Sequence, residues 1–323
     1  MTEITRVTHT NIHTIVYNTK KEYYLLMRKG IYLALLTTLV SGFSIFANKI
    51  FVSGADPLAF TTVRNVIVAG ILTTILLRSR KSLQELKSLK RNDWLKLALI
   101  GTLGGGVAFA LFFVGLSKIG AIQGNLIHKT LFIWVALMAV PFLGERLNKI
   151  QLVGYAGIFL ATFVLGGPAN FVFNKGSLLV LAATLLWALE NVIAKVALKN
   201  IPSLVVGWAR MVIGVLVLAL ITIGLGKGQM LLAPKTLAFM PLVVSSGFLS
   251  IYVLSWYAAL RMLPATVATV VLVLAPMITT FLTGVFISHA AIPSSQLISF
   301  LVMTVGVGMI ITKLRLAKKT IMA

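Results

Sequence analysis

Apolar runs of about 20 residues, the length that crosses a hydrocarbon core of about 30 Å as a helix, recur along the whole chain. Each is bounded by Lys or Arg, by Pro, or by Gly. The pattern predicts ten spans, at roughly 31–52, 58–77, 95–116, 121–141, 150–167, 176–198, 203–225, 236–260, 264–288 and 293–312. Only Ser117 to Gly120 separate spans 3 and 4, which predicts a tight hairpin there. No stretch outside the spans is long enough for a soluble domain.

The pattern repeats itself. Sliding the sequence by 146 residues aligns Gly30 with Gly176, Thr38 with Thr184, Lys49 with Lys195, Leu58 with Leu204 and Arg64 with Arg210. A slide of 144 aligns Ala121 with Ala265. Each half then holds five spans, an odd number, so the second copy enters the membrane from the opposite side. This inverted-topology repeat is the arrangement on which many secondary transporters are built. The expected fold is all-α: a polytopic membrane protein of ten transmembrane helices in two inverted five-helix repeats. They cover 30–168 and 169–314, between a polar tail at 1–29 and a basic tail at 315–323. The polar start has no small-residue cleavage site after a short apolar core, so it is not a secretory signal. Met27-Arg28-Lys29-Gly30 reads as an ordinary start for a helix whose N-terminus is inside, which leaves an over-extended start and a functional tail both open.

Composition sharpens this picture. The 323 residues are 59% hydrophobic and 11% charged, with a mean hydropathy of +0.99. A soluble protein carries about 25% charged residues, so a water-soluble enzyme is excluded. The net charge of +22 is distributed in short clusters between spans and forms no continuous basic domain, which argues against a nucleic-acid partner. With the N-terminus inside, 20 basic residues fall on the cytoplasmic side against 4 outside. That bias predicts both termini in the cytoplasm of a multi-pass cell-membrane protein. The absence of cysteine removes thiolate chemistry. The four His, at 9, 13, 128 and 289, lack metal-ligand spacing, so neither cofactor nor metal is expected.

Charge inside a span is costly and marks candidate function. Lys49, Arg64, Lys195 and Arg210 form two repeat-related basic pairs that either gate or hold an anion, or else anchor helix ends. Glu190 is the only acid well inside a span, about 21 Å along its helix. It is a candidate for a coupling proton, or for an ion pair with an arginine or Lys129, and Trp187 lies on the same helical face. Lys129 stands about 12 Å into span 4, too deep for comfortable snorkelling. Asn125, His128, Lys129 and Phe132 share one face of that span. A polar face in a buried span lines a cavity, so Lys129, His128, Asn125, Glu190 and Trp187 are the expected substrate-binding set. The Gly104-Gly105-Gly106 run predicts close helix packing.

Several short motifs carry a family resemblance over about 30–314. Ser41-Gly42-Phe43 precedes Lys49, Asp56-Pro57-Leu58 leads to Arg64, Leu143-Gly144-Glu145-Arg146 follows span 4, and Leu274-Ala275-Pro276 falls in span 9. Together they resemble the ten-span, EamA-type branch of the drug/metabolite transporter superfamily, with Gly42, Pro57, Gly144, Glu145 and Pro276 as motif residues. The resemblance implies a central cavity lined by the earlier helices of each half, and outward movement of metabolites, amino acids or drug-like compounds without ATP. Phe132 stands opposite Pro276 in the repeat and His289 opposite Glu145. Ser41-Gly42 replaces the usual Trp-Gly, and His128-Lys129 replaces small or apolar residues.

The combined expectation is a non-enzymatic carrier that exports a small polar, anionic metabolite by alternating access. An amino acid, organic acid or sugar phosphate would fit, because the cations inside the spans outnumber the single acid. The alternative is a multidrug or lipophilic-cation exporter. A channel would need a continuous polar stripe, and an embedded enzyme would need a catalytic set at one depth.

Overall fold

The computed structural model describes the backbone of residues 4–51, 55–119, 121–166, 173–289 and 291–320, with side chains over most of that range. The first described element is a single long helix, α1 (Ile4–Phe51), so the polar tail from Ile4 onward continues without a break into the first span. Then come α2 (Pro57–Arg78), a short α3 (Arg80–Lys87) and α4 (Arg91–Leu99). A π-helical stretch, Ile100–Val107, joins α4 to α5 (Ala108–Ile119), and the three make one span. The first half closes with α6 (Ala121–Lys129), α7 (Leu131–Leu143) and α8 (Lys149–Gly166).

In the second half, α9 (Lys175–Ala197) and α10 (Ser203–Gly224) lead through a 3-10 turn at Gly228–Leu232 to α11 (Phe239–Met262). The chain ends with α12 (Ala265–Leu272), α13 (Ala275–Thr283), a π-helical turn at Gly284–Ser288, and α14 (Ser294–Thr320). Among the described residues, nine helices are long and apolar enough to cross a membrane, and Lys149–Phe163 is a shorter apolar one.

Local sequence explains the helix ends. Asp56 caps α2, its carboxylate accepting from the Leu58 and Ala59 amides at 3.0 and 2.9 Å, and Pro57 occupies the first turn, where its missing N–H costs nothing. Gly144 ends α7 in the left-handed region at φ 68°, the conformation glycine tolerates best. Asn174 caps α9 through the Gly176 and Ser177 amides.

Tertiary contacts follow the repeat. The α1 helix packs along α11, and α5 along α9; under the repeat each of these pairings is the counterpart of the other. The α2 helix packs on α10, and α8 on α14, so each of these pairings is its own counterpart. Two glycines mark the inversion. A Cβ on Gly30 would lie 2.9 Å from Met262 Cβ, and a Cβ on its repeat mate Gly176 would lie 2.7 Å from Lys118 Cβ. These contacts sit at opposite ends of α9: Gly176 opens it beside the end of α5, and Lys195 near its close reaches the same end of α11 on which Gly30 packs.

Two spans are broken, at matching places. Thr130 interrupts span 4 between α6 and α7, and Val273-Leu274 interrupt span 9 between α12 and α13. Thr130 and Leu274 are 144 residues apart, so the break belongs to the repeat. At both, the ladder tightens to i→i−3 bonds: Thr130 N donates to Ile127 O at 3.0 Å and Val273 N to Val270 O at 3.1 Å. Pro276 sits in the first turn of α13. The break at Thr130 forms without a proline.

Candidate functional site

A cavity of about 240 Å³ opens between the halves. Ser41, Ser44 and Ile45 of α1 line one wall, and Trp187, Glu190 and Asn191 of α9 line another. These are the same three positions of the repeat, each pair 146 residues apart and spaced i, i+3, i+4 on a single helical face. Arg64 of α2 and its mate Arg210 of α10 face the same space. Phe109 closes it from the span 3 side, and Tyr252, Trp256 and Tyr257 of α11 complete it.

The second-half wall is fully bonded. Glu190 is 2% exposed. Its Oε1 accepts a 2.5 Å bond from Tyr257 OH and lies 3.9 Å from Arg210 Nε. Arg210 Nη2 donates to Gly104 O at 3.1 Å, and its guanidinium lies 5.5 Å from the Phe109 ring centroid. Trp187 Nε1 donates to the same carbonyl at 2.9 Å. Asn191 is held twice, donating to Trp187 O at 2.9 Å and accepting from Trp256 Nε1 at 3.1 Å.

The glycine run makes this wall possible. Gly104 and Gly105 lie in the π-helical stretch, a rare geometry found disproportionately at functional sites. A Cβ on Gly104 would collide with the Glu190 side chain, and one on Gly105 with Arg210 O and Gly214 Cα. Close packing expected from the sequence is thus what lets one backbone carbonyl serve both Trp187 and Arg210.

The first-half wall differs. Arg64 is 8% exposed, like Arg210. Its Nε and Nη2 donate to Asn65 Oδ1 at 3.3 and 3.2 Å. Among the described residues no carboxylate comes within ion-pair distance of it.

The expected binding set separates. Trp187 and Glu190 line the cavity; Lys129, His128 and Asn125 are not among its lining residues. His128 packs behind Trp187, ring centroids 4.8 Å apart, with Phe112 at 5.4 Å, and its buried Nδ1 has no partner among the described residues. Lys129 ends α6 just before the break, and Asn125 is exposed. Among the described residues no ion pair joins Lys129 to Glu190; the carboxylate is partnered by Arg210 and Tyr257 instead.

Of the four cations, Lys195 caps helix carbonyls, donating to Leu260 O at 2.6 Å and Leu263 O at 2.5 Å. The side chain of Lys49 lies outside the described residues. Glu145 leaves the α7–α8 turn to bind the start of α12, accepting from Ala265 N at 2.6 Å, Thr266 N at 3.0 Å and Thr266 Oγ1 at 2.6 Å. Tyr155 of α8 donates to Thr266 O at 2.9 Å, so two first-half side chains grip this end of α12. Gly42 lets α1 approach α13, its carbonyl accepting from Thr279 Oγ1 at 2.9 Å.

Sequence reasoning missed Ser41, Ser44, Tyr252, Trp256 and Tyr257. Repeat arithmetic finds the serines, since they are the mates of Trp187 and Glu190. The aromatics of α11 lie in an apolar run with no such mark. Among the described residues no group of three His, Asp or Glu gathers to hold a metal.

Fold and cavity together define a multi-pass membrane protein with a charged central site shared by two related halves. The chain belongs to the EamA-like transporter family, whose model matches it twice, over residues 28–167 and 174–312. It is similar to an uncharacterized transporter of Methanothermobacter thermautotrophicus, 26% identical over 69% of this chain and 70% of that one. It is also similar to the uncharacterized transporter YoaV of Bacillus subtilis, 28% identical over 51% of this chain and 56% of that protein. One solved crystal structure, 19% identical, superposes with a TM-score of 0.71 over 87% of this chain and 95% of its own, a likeness of fold alone. The protein is therefore a transporter of the cell membrane.

Proposed function

We propose that the chain is an alternating-access carrier that exports a small polar metabolite through the central cavity, with ten spans and both termini in the cytoplasm. The observation that carries this reading is the cavity itself: it lies between the halves and is lined at equivalent positions by both. A site shared by two inverted units is exposed to alternate faces when they rock against each other. The repeat units of the proposal are 30–168 and 169–314. The 18 residues of α8 measure about 27 Å as a helix, which supports counting it as the tenth span. Export is the direction the family resemblance implies.

An anionic substrate fits better than a lipophilic cation, because two arginines and one glutamate face the cavity. This moves the expected anion contact from Lys129 to the arginines. A coupling proton belongs to the same proposal, with Glu190 as its carrier, since among the described residues it is the only carboxylate lining the cavity. The test is counterflow in liposomes containing the purified protein. A carrier takes up labelled substrate saturably, and faster when unlabelled substrate waits inside. Flux that neither saturates nor responds to trans substrate makes the protein a channel. If a protonophore leaves concentrative transport intact, Glu190 loses its coupling role.

A further inference from the structure

The two arginines are repeat mates and equally buried, yet their surroundings are unequal. Arg210 has Glu190 as its counter-charge, a backbone carbonyl and an aromatic face. Where the second half has Glu190, the first half has Ser44; where it has Trp187, the first half has Ser41. Arg64 therefore keeps its charge with only a neutral amide beside it. Asn65 occupies Nε and one N–H of Nη2, which leaves both N–H groups of Nη1 and the second of Nη2 without a partner among the described residues. That is the end of the guanidinium fork that grips a carboxylate in bidentate fashion.

A buried cation without a counter-charge is expensive, and a protein keeps one where a ligand supplies the missing charge. With Glu190 ionised, Arg64, Arg210 and Glu190 together leave one positive charge in excess, the complement of a monoanion. The other walls set the remainder of the ligand. Phe109, Trp187, Tyr252 and Trp256 offer apolar and aromatic surface, and Ser41 and Ser44 offer hydroxyls to the same space as Arg64. At about 240 Å³, the cavity is smaller than the 300–1,000 Å³ usual for drug-sized ligands.

Resting on the reading of this cavity as the transport site, we propose that Arg64, and not Arg210, receives the substrate, and that the substrate is a small monocarboxylate with an apolar or aromatic body. Arg64 is the specificity-determining residue. Arg210 is a structural cation, already satisfied by Glu190 of its own half and by Gly104 and Phe109 of span 3.

The repeat supplies an unusual test. Ser44→Glu gives Arg64 the partner that Arg210 already has and fills the anion's place from within the protein. Arg64→Met removes the charge outright. The probe is 3-phenylpropionate, compared with its neutral amide, with 2-phenylethylammonium and with inorganic phosphate. Binding is read as a ligand-induced rise in melting temperature of detergent-purified protein.

The wild type binds the carboxylate and neither the amide nor the cation. Both variants bind it at least about tenfold more weakly, in keeping with the strength of a charge-assisted pair. The melting temperature without ligand shows that each variant is folded, and Ser44→Glu carries the test if Arg64→Met is not. Equal binding of acid and amide, a preference for phosphate, or unchanged affinity in folded Ser44→Glu protein overturns the proposal. Counterflow of the same probe separates the two readings. Undiminished flux in Arg64→Met leaves a carrier without this anion site. Binding that depends on Arg64, without saturable flux, leaves the anion site and removes the carrier.

Discussion

Glu190 does two things at once. Its carboxylate balances Arg210, and it accepts the hydroxyl of Tyr257 across to α11. Removing one member of a buried ion pair typically costs about 3–5 kcal/mol, because the other is left without compensation. Glu190→Leu is therefore expected to lower the melting temperature markedly, and Glu190→Leu with Arg210→Met to recover part of the loss. If the double variant melts below the single one, the arginine has other partners of greater weight. Trp187→Phe loses the bond to Gly104 O and part of the ring packing on Phe109, Phe112 and His128, so a denaturation curve should show a loss larger than the about 1 kcal/mol of the bond alone. Much of this was legible beforehand. A lone carboxylate and two arginines within apolar runs stand out by cost alone, and the repeat pairs the arginines. Lys129 stands out equally, yet depth along a helix says nothing of which neighbour a face meets, so its absence from the cavity lining was beyond reach. Tyr257 was illegible for the opposite reason: an aromatic residue in an apolar run is ordinary until a partner appears.

At the scale of elements, the decisive pieces are the π-helical stretch, the paired breaks and the Glu145 grip on α12. Glycine spacing announced close packing in span 3 but not a change of helix type, which depends on what α9 and α10 offer across the interface. Gly105→Val should cost about 1–3 kcal/mol by overpacking against α10, and Gly70→Val, with open space around the glycine, much less. Comparable losses at both positions would mean that the contact with Gly214 is slack. Glu145 joins the halves through three hydrogen bonds at a helix N-terminus, where a carboxylate also meets the positive end of the helix dipole. Glu145→Ala should destabilise the protein by about 1–2 kcal/mol, and Glu145→Gln by less. The Leu-Gly-Glu-Arg motif was visible as a resemblance, whereas its physical use required α12 to begin beside it. The break at Leu274 sits next to a proline, but its mate at Thr130 has neither proline nor glycine to betray it.

For the whole molecule, the positive charges make the firmest forecast. With Lys87→Cys and Gln229→Cys made separately in a chain that has no cysteine of its own, a membrane-impermeant maleimide applied to intact cells should label only the second. Labelling only the first would invert the proposed topology. Opposite the basic loops, Asp56 joins Lys227 at 2.6 Å, linking the start of α2 to the end of α10. Partial burial pushes the Asp56 carboxyl up, but the Lys227 ammonium and the amides of Ala59 and Leu58 outweigh it and hold the group below the usual carboxylate range. A lowered carboxylate contributes its stability above its unfolded value of about 3.9 and loses it as the pH falls through the folded value. Asp56→Asn should therefore flatten the acid limb of a stability–pH curve and abolish that dependence at this link. An unchanged acid limb would assign it to other carboxylates. The all-helical span pattern and the two-copy repeat were readable from the sequence because each is a sum over many residues. A cavity is a meeting of a few, and no sum reports it.

The divergence of Ser41, Ser44 and Ile45 from Trp187, Glu190 and Asn191 has a consequence for how such a protein can be encoded. Two identical half-length chains, pairing head to tail, would have to place the same triplet on both walls. One version would set two bare guanidinium groups against each other across a space little larger than a single small ligand. The other would neutralise both and crowd the space with two indoles. Neither homodimer offers exactly one unsatisfied cation. Joining the halves in one polypeptide frees each copy to keep its own version, one as scaffold and one as receptor, and gives a two-fold architecture a single seat.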